Sequence, residues 1–195
     1  MRTLFASGCA LRKYKPSLVA RMSSFLREKG IIDGDYEICC KSGRVVEPDS
    51  IIIACCPYCL KVFGAMPGVE AVSLWKVLLD SDFPLPDYAG KAMTIHDSCP
   101  ARGRNSEELH DTSRELCRRM NITLVEPSSS GCCGGSIKDR EQRVRTACVR
   151  ADSLPLKDVV VYCTGCVRSF SVTSAKPHHL LDLVFSESTE GLTLI

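Results

Sequence analysis

Two apolar runs in this chain end in the same device. Ile51-Ile52-Ile53-Ala54 leads through Cys55 into Cys56-Pro57-Tyr58-Cys59, and Val159-Val160-Val161-Tyr162 leads into Cys163-Thr164-Gly165-Cys166. Both runs are rich in β-branched residues and lack polar alternation, the pattern of a strand buried on both faces of a parallel sheet. Each CxxC then opens a short helical stretch, residues 60–65 and 167–170. Apolar residues at helical spacing follow: Leu74, Val77 and Leu78 in one half, Leu180, Leu181 and Val184 in the other. Upstream the match continues. Strand candidates at 3–6 and 92–96 each lead to a single cysteine, Cys9 or Cys99. A helix follows each, on the stripe Leu18, Val19, Met22, Phe25, Leu26 or on Leu109, Leu116, Met120, with Gly30 as a C-terminal stop for the first. Short strands at 36–38 and 122–125 precede the cysteine pairs Cys39-Cys40 and Cys132-Cys133.

Each half therefore reads cysteine, helix, strand, double cysteine, strand, CxxC, helix. Self-similarity of this kind constrains a fold more than any single motif. It predicts an α/β chain of two pseudo-symmetric repeats, 1–89 and 90–195, each a small, mainly parallel sheet flanked by helices. Ser81-Asp82-Phe83-Pro84-Leu85-Pro86 reads as the linker, because two prolines interrupt any helix there. Residues 186–195 read as a loosely held tail.

Thirteen of the 195 residues are cysteine. A disulfide framework does not suit them. The chain is long and apolar enough to fold without staples, the count is odd, and three vicinal pairs (39-40, 55-56, 132-133) would crowd and mispair. Ala6-Ser7-Gly8-Cys9 looks like a lipoprotein cleavage box, but too few residues precede it for the apolar region of a signal. No apolar run approaches the roughly 20 residues of a membrane span. Lys and Arg total 25 against 23 Asp and Glu, a net charge of +2. That leaves no electrostatic case for nucleic acid or an anionic membrane. The expectation is a protein of the reducing cytoplasm whose thiols serve metal or redox chemistry.

Two sets of five cysteines follow from the repeat: Cys9, Cys39, Cys40, Cys56 and Cys59, then Cys99, Cys132, Cys133, Cys163 and Cys166. Five thiolates are one more than a tetrahedral zinc or an ordinary cubane cluster requires. A vicinal pair in a tight bend reaches different metal atoms of one cluster, which a single zinc ion seldom needs. Gly131, Gly134 and Gly135 let the backbone close around a sulfide cage, and bare N–H groups donate to sulfur.

On these residues the chain resembles the cysteine-rich CCG-domain proteins, typified by the cysteine-rich polypeptide of heterodisulfide reductase. The matching motifs are His96-Asp97-Ser98-Cys99-Pro100, Cys132-Cys133-Gly134 and Cys163-Thr164-Gly165-Cys166. In the first copy they are Ser7-Gly8-Cys9-Ala10, Cys39-Cys40 and Cys56-Pro57-Tyr58-Cys59. The resemblance covers most of the chain. It implies that each motif holds a noncubane 4Fe–4S cluster, two smaller iron–sulfur units fused, on the five cysteines of its set. A substrate disulfide would be cleaved between the two clusters, and the redox partner would be a flavoprotein or a ferredoxin-like protein. The implied activity is that of an iron–sulfur oxidoreductase, or of an electron relay without catalysis.

The first half departs from this pattern. Lys41 follows Cys40 where the family has glycine, and residues 41–55 are about one helix shorter than their counterpart 134–162. The segment 136–151, with Val144, Ala147 and Cys148 on one face, supplies that helix in the second half only. Zinc on four of the first five cysteines is therefore an alternative to a cluster there. Two rival readings cover the whole chain: a structural zinc scaffold, and a glutaredoxin-like thiol oxidoreductase using Cys56 and Cys59.

Cys117 and Cys148 read as core residues, and Cys55 stays open. His96 is either a satisfied hydrogen-bonding residue at a strand end or a donor to the cluster and proton source for a leaving thiolate. His178 and His179 read as caps of the last helix, and Trp75 as a core or interface residue. Arg140, Arg143, Arg145 and Arg150 read as a solvated helix face, with docking of an acidic redox partner as the alternative.

Overall fold

In the computed structural model, which describes residues 1–38, 46–102 and 106–189, the β-branched runs become inner strands of two separate sheets. The first sheet holds β1 (Arg2–Ala6), β2 (Gly34–Asp35), β3 (Ser50–Ala54) and β4 (Val69–Ser73) in the order β2-β1-β3-β4, every pairing parallel. The second holds β5 (Ala92–Ile95), β6 (Thr123–Val125), β7 (Asp158–Val161) and β8 (Lys176–His179) in the order β6-β5-β7-β8, again all parallel. Parallel neighbours need crossover connections, and helices lie between most of the consecutive strands. The helices of the first unit are α1 (Cys9–Tyr14), α2 (Pro16–Glu28), α3 (Pro57–Phe63) and, after its last strand, α4 (Leu74–Leu79). In the second they are α5 (Glu107–Arg119), α6 (Arg140–Asp152), α7 (Thr164–Phe170) and α8 (Leu180–Val184). The α/β architecture of two repeated, parallel, helix-flanked sheets is the one the sequence predicts.

The repeat extends to how elements end. Helix α2 stops at Gly30, whose φ of 66° lets Ile31 N–H reach back to Leu26 O at 2.9 Å. Helix α5 stops the same way at Asn121, φ 53°, with Ile122 N–H on Cys117 O at 3.0 Å. Helix α4 is capped by the Ser73 hydroxyl, which accepts from Trp75 N–H at 3.2 Å. Helix α8 is capped by His179, whose Nδ1 accepts from Leu181 N–H at 3.2 Å. His178 does not cap. It lies on β8, where Nε2 sits 2.6 Å from the Asp158 carboxylate.

Two strands are invisible in the hydropathy pattern. Both β4 and β8 lie at sheet edges. An edge strand buries less, so Glu70, Lys176 and even Pro177 are tolerated there. The short strand expected at 36–38 falls instead at Gly34–Asp35, because pairing to β1 begins at Leu4↔Gly34 and ends with Tyr36 N–H on Phe5 O.

Buried apolar side chains cover both faces of each sheet. In the first unit Ala6, Ile52, Ala54, Cys59 and Phe63 form one cluster, while Phe5, Leu18, Met22, Leu26, Leu74, Trp75 and Leu78 are buried as well. In the second Met93, Ile95, Leu116, Met120, Val159, Val160, Phe170 and Leu180 are buried. Trp75 is fully buried, as is Cys117, whose thiol burial pushes up to about 12. The chain divides into two compact units, Met1–Asp82 and Phe83–Ile195. Residues 83–89 thus go with the second unit. Tyr88 explains this: its hydroxyl donates to Leu183 O at 2.8 Å and its backbone N–H to Met120 O at 2.8 Å. Among the described residues no helix is long and apolar enough to cross a membrane.

Candidate metal centre

Parallel sheets collect functional groups at the carboxyl ends of their strands, and the cysteines of the second unit sit there. Cys99 follows β5 in a single 3-10 turn, Cys99–Ala101. Cys163 follows β7 as the N-cap of α7, and Cys166 lies one turn into that helix. The Cys132-Cys133 bend arrives from the loop after β6. These elements bring five sulfurs into one connected group. Cys99 Sγ lies 3.2 Å from Cys132 Sγ, and Cys133 Sγ lies 3.2 Å from Cys166 Sγ. Cys163 hydrogen-bonds Cys166, and the charge of Cys133 reaches Cys99.

The glycines allow this approach. A Cβ on Gly135 would stand 3.0 Å from Gly165 O and 3.4 Å from the Cys133 sulfur. Gly134 adopts φ 75°, a Cβ there would meet Arg143 O at 2.8 Å, and its N–H donates to the Cys132 sulfur at 3.3 Å.

Such crowding distorts the thiols. Hydrogen bonding with Cys166 overcomes burial and, with help from His96 and the Gly135 N–H, holds the Cys133 thiol down at about 4. Its partner Cys166 is pushed well above its ordinary value by Cys133 first, then by Cys163 and burial. Burial, and then Cys132, push Cys99 up to about 11. Five thiols this close cannot all ionise without positive charge among them. A bound metal would supply that charge, and its binding would release the protons. One ring nitrogen of His96 and the sulfurs of Cys133 and Cys166 lie within 4.8 Å of one another, a group able to hold a metal ion.

Three arginines surround the sulfurs. Arg102 donates to Gly131 O and lies 3.8 Å from the Cys99 sulfur. Arg168 donates to Gly135 O at 3.1 Å. Arg150 is buried and donates to Ser129 O at 2.9 Å and to His96 Nδ1 at 3.3 Å. Among the described residues none of the three has a carboxylate within ion-pair distance. Arg150 is buried and Arg102 and Arg168 are half-buried. Cations so placed without carboxylate partners call for a negative group nearby, and a thiolate-bound metal centre would be such a group. This corrects the reading of Arg150 as part of a solvated face. Its helix packs by Ala147 and Ala151, both fully buried, and Arg150 shares that face at helical spacing. An arginine in line with buried alanines was the available signal. Arg102 and Arg168 gave none.

Asp97 belongs to the frame rather than to the sulfurs. It accepts from Arg114 at 2.9 and 3.2 Å and from the Tyr162 hydroxyl at 2.6 Å. Burial pushes this carboxyl up, but those bonds outweigh it and keep it below the usual range. His96 is fully buried and meets the Phe170 ring edge-on, centroids 5.0 Å apart.

In the first unit the described cysteines also meet at strand ends. Cys56 is the N-cap of α3, Cys59 is buried within it, and Cys9 and Cys59 line a common small cavity. Gly8, at φ 88°, leaves room: a Cβ there would lie 3.2 Å from Cys56 Cβ and 3.8 Å from the Cys59 sulfur. Cys39 and Cys40 lie outside the described residues. Cys55 is buried at the end of β3, one residue before the N-cap of α3, where the second unit has Tyr162. No family model matches the chain, and no curated protein or solved structure matches it significantly.

Proposed function

We propose that the chain is an iron–sulfur redox protein of the CCG type, resembling the cysteine-rich polypeptide of heterodisulfide reductase. Cys99, Cys132, Cys133, Cys163 and Cys166 would hold a noncubane 4Fe–4S cluster. The observation that carries this reading is the count of sulfurs at one place. Five cysteines exceed the four of a tetrahedral zinc site, and vicinal Cys132 and Cys133 turn to different neighbours, Cys99 and Cys166 respectively. That divergence suits a centre with several metal atoms. Bound there, a cluster supplies one-electron chemistry to a disulfide or to a partner protein of the flavoprotein or ferredoxin type. The residues around it place N–H groups on sulfur through Gly134 and Gly135 and offset negative charge through Arg102, Arg150 and Arg168.

An anaerobic count of iron, sulfide and zinc, with electron paramagnetic resonance, tests the reading. About four iron and four sulfide per filled set are expected, reaching about eight iron if both sets carry clusters. Iron near four with one zinc assigns zinc to the first set. One or two zinc ions with no iron or sulfide would sink the proposal in favour of the structural scaffold. Reduction of a small disulfide by the dye-reduced protein then separates oxidoreductase from relay.

A further inference from the structure

His96 is grouped with Cys133 and Cys166 in a set that could hold one metal ion, yet its surroundings give it a different task. The ring is fully buried at the end of β5, its backbone N–H held on Val160 O at 3.0 Å. Phe170 braces one side edge-on. Arg150 Nε donates to Nδ1 at 3.3 Å. Arginine stays protonated and can only donate, so Nδ1 is the accepting nitrogen. A neutral imidazole then carries its proton on Nε2. That Nε2 is buried and makes no hydrogen bond to nitrogen or oxygen among the described residues. One ring nitrogen lies within 4.8 Å of the Cys133 and Cys166 sulfurs, and hydrogen bonding from His96 is among the causes that hold the Cys133 thiol down. A protonated Nε2 has no lone pair for a metal. Binding through Nδ1 would displace the guanidinium.

Arg150 is itself held for this job. Ser129 O accepts from it at 2.9 Å and the Ser153 hydroxyl lies 3.3 Å away. Gly131 is bare where it passes: a Cβ there would come within 2.7 Å of Arg150 Cδ.

We propose that Arg150 is a positioning residue which, by occupying Nδ1 of His96, fixes an Nε2–H donor on the Cys133–Cys166 sulfur pair, so that His96 serves the metal centre as a hydrogen-bond donor to sulfur and never as a ligand. This rests on the metal reading above and states which groups coordinate. An N–H directed at a coordinating sulfur stabilises the electron-rich state, so the reduction potential of the iron-loaded centre rises with it.

The test is nitrogen NMR of the histidine-labelled full chain, metal-free and after anaerobic loading with cadmium alone, together with cadmium NMR. His96 should show a bare Nδ1 and a protonated Nε2 in both states, and the second-set cadmium should carry sulfur ligands only. Arg150→Met should release the ring to a mixture of tautomers. His96→Gln should leave the cadmium sulfur-bound while weakening its affinity about tenfold, as loss of an outer partner does. Cadmium bonded to a His96 nitrogen, or a single unchanged tautomer in Arg150→Met, overturns the inference and leaves the metal reading intact. If neither variant folds, the wild-type spectra alone decide. Failure of the second set to bind cadmium at all overturns both.

Discussion

The two units are built on one plan and diverge at the corner where the plan matters most. Both place a cysteine after the first strand and a CxxC after the third, with the same strand order and the same helix endings. The second inserts α6 between β6 and β7. That helix delivers Arg150, packs on Gly134, and makes the loop before it closely fitted. Between β2 and β3 no helix occurs among the described residues. At the end of the first strand the first unit has Ala6 and Ser7 where the second has His96 and Asp97. The second set of cysteines is therefore surrounded by His96 and three arginines, whereas among the described residues the cavity of Cys9 and Cys59 is lined instead by Arg12, Tyr36 and Glu37. The lesson is that ligand spacing can be duplicated while the groups that tune a site are not.

Removing cysteines gives the largest contrast. Cys133→Ser with Cys166→Ser should abolish the metal of the second set outright, while Cys9→Ser with Cys59→Ser should leave it in place and remove only what the first set holds. Metal analysis of the two double variants reads this directly. Equal loss in both would mean that the sets form one centre, and the comparison would break.

The clamps at the strand ends differ less. Asp97 sits between Arg114 and Tyr162, with about a fifth of its side chain exposed. Asp35 holds Ser23 and Arg27 with both charged groups a third or more exposed. Asp97→Asn should cost about 2 kcal/mol, as for a charged, mostly buried hydrogen-bonding group, and Asp35→Asn under about 1 kcal/mol. Trp75, the single tryptophan and buried in the first unit, reports that unit by fluorescence, and hydrogen exchange of the β7 amides reports the other.

The smallest contrast near neutral pH lies in the caps. Burial holds His179 down at about 3, from an ordinary 6.5. The unfolded chain takes up this proton first. The contribution is complete above about pH 6.5 and is lost as pH falls towards 3, at up to roughly 1 kcal/mol per pH unit. Ser73, capping α4, has no such titration. Acid should therefore loosen the second unit earlier than the first. His179→Ser should flatten the slope seen in β7 exchange between pH 6 and 4. An unchanged slope would assign acid sensitivity to other groups.

Much of the fold was legible because its signals are local. Uninterrupted runs at 51–54 and 159–161 mark strands covered on both faces, and Gly30 marks a helix end, whatever the chain does elsewhere. The edge strands β4 and β8 were not legible, since an edge needs little apolar surface and leaves no period to read. The ten repeated cysteines stood out by order and spacing. The arginines around them did not, because Arg150 in a run with Arg140, Arg143 and Arg145 reads as surface until a neighbouring segment covers it.

By itself, then, the sequence determined the repeated α/β plan and the position of every cysteine along it, because strand burial and motif spacing are written residue by residue. Only the tertiary structure decided which groups surround the sulfurs. His96, Arg102, Arg150 and Arg168 come from four different segments, and contact between distant segments depends on how β5, β7, α6 and α7 pack, which no local pattern records.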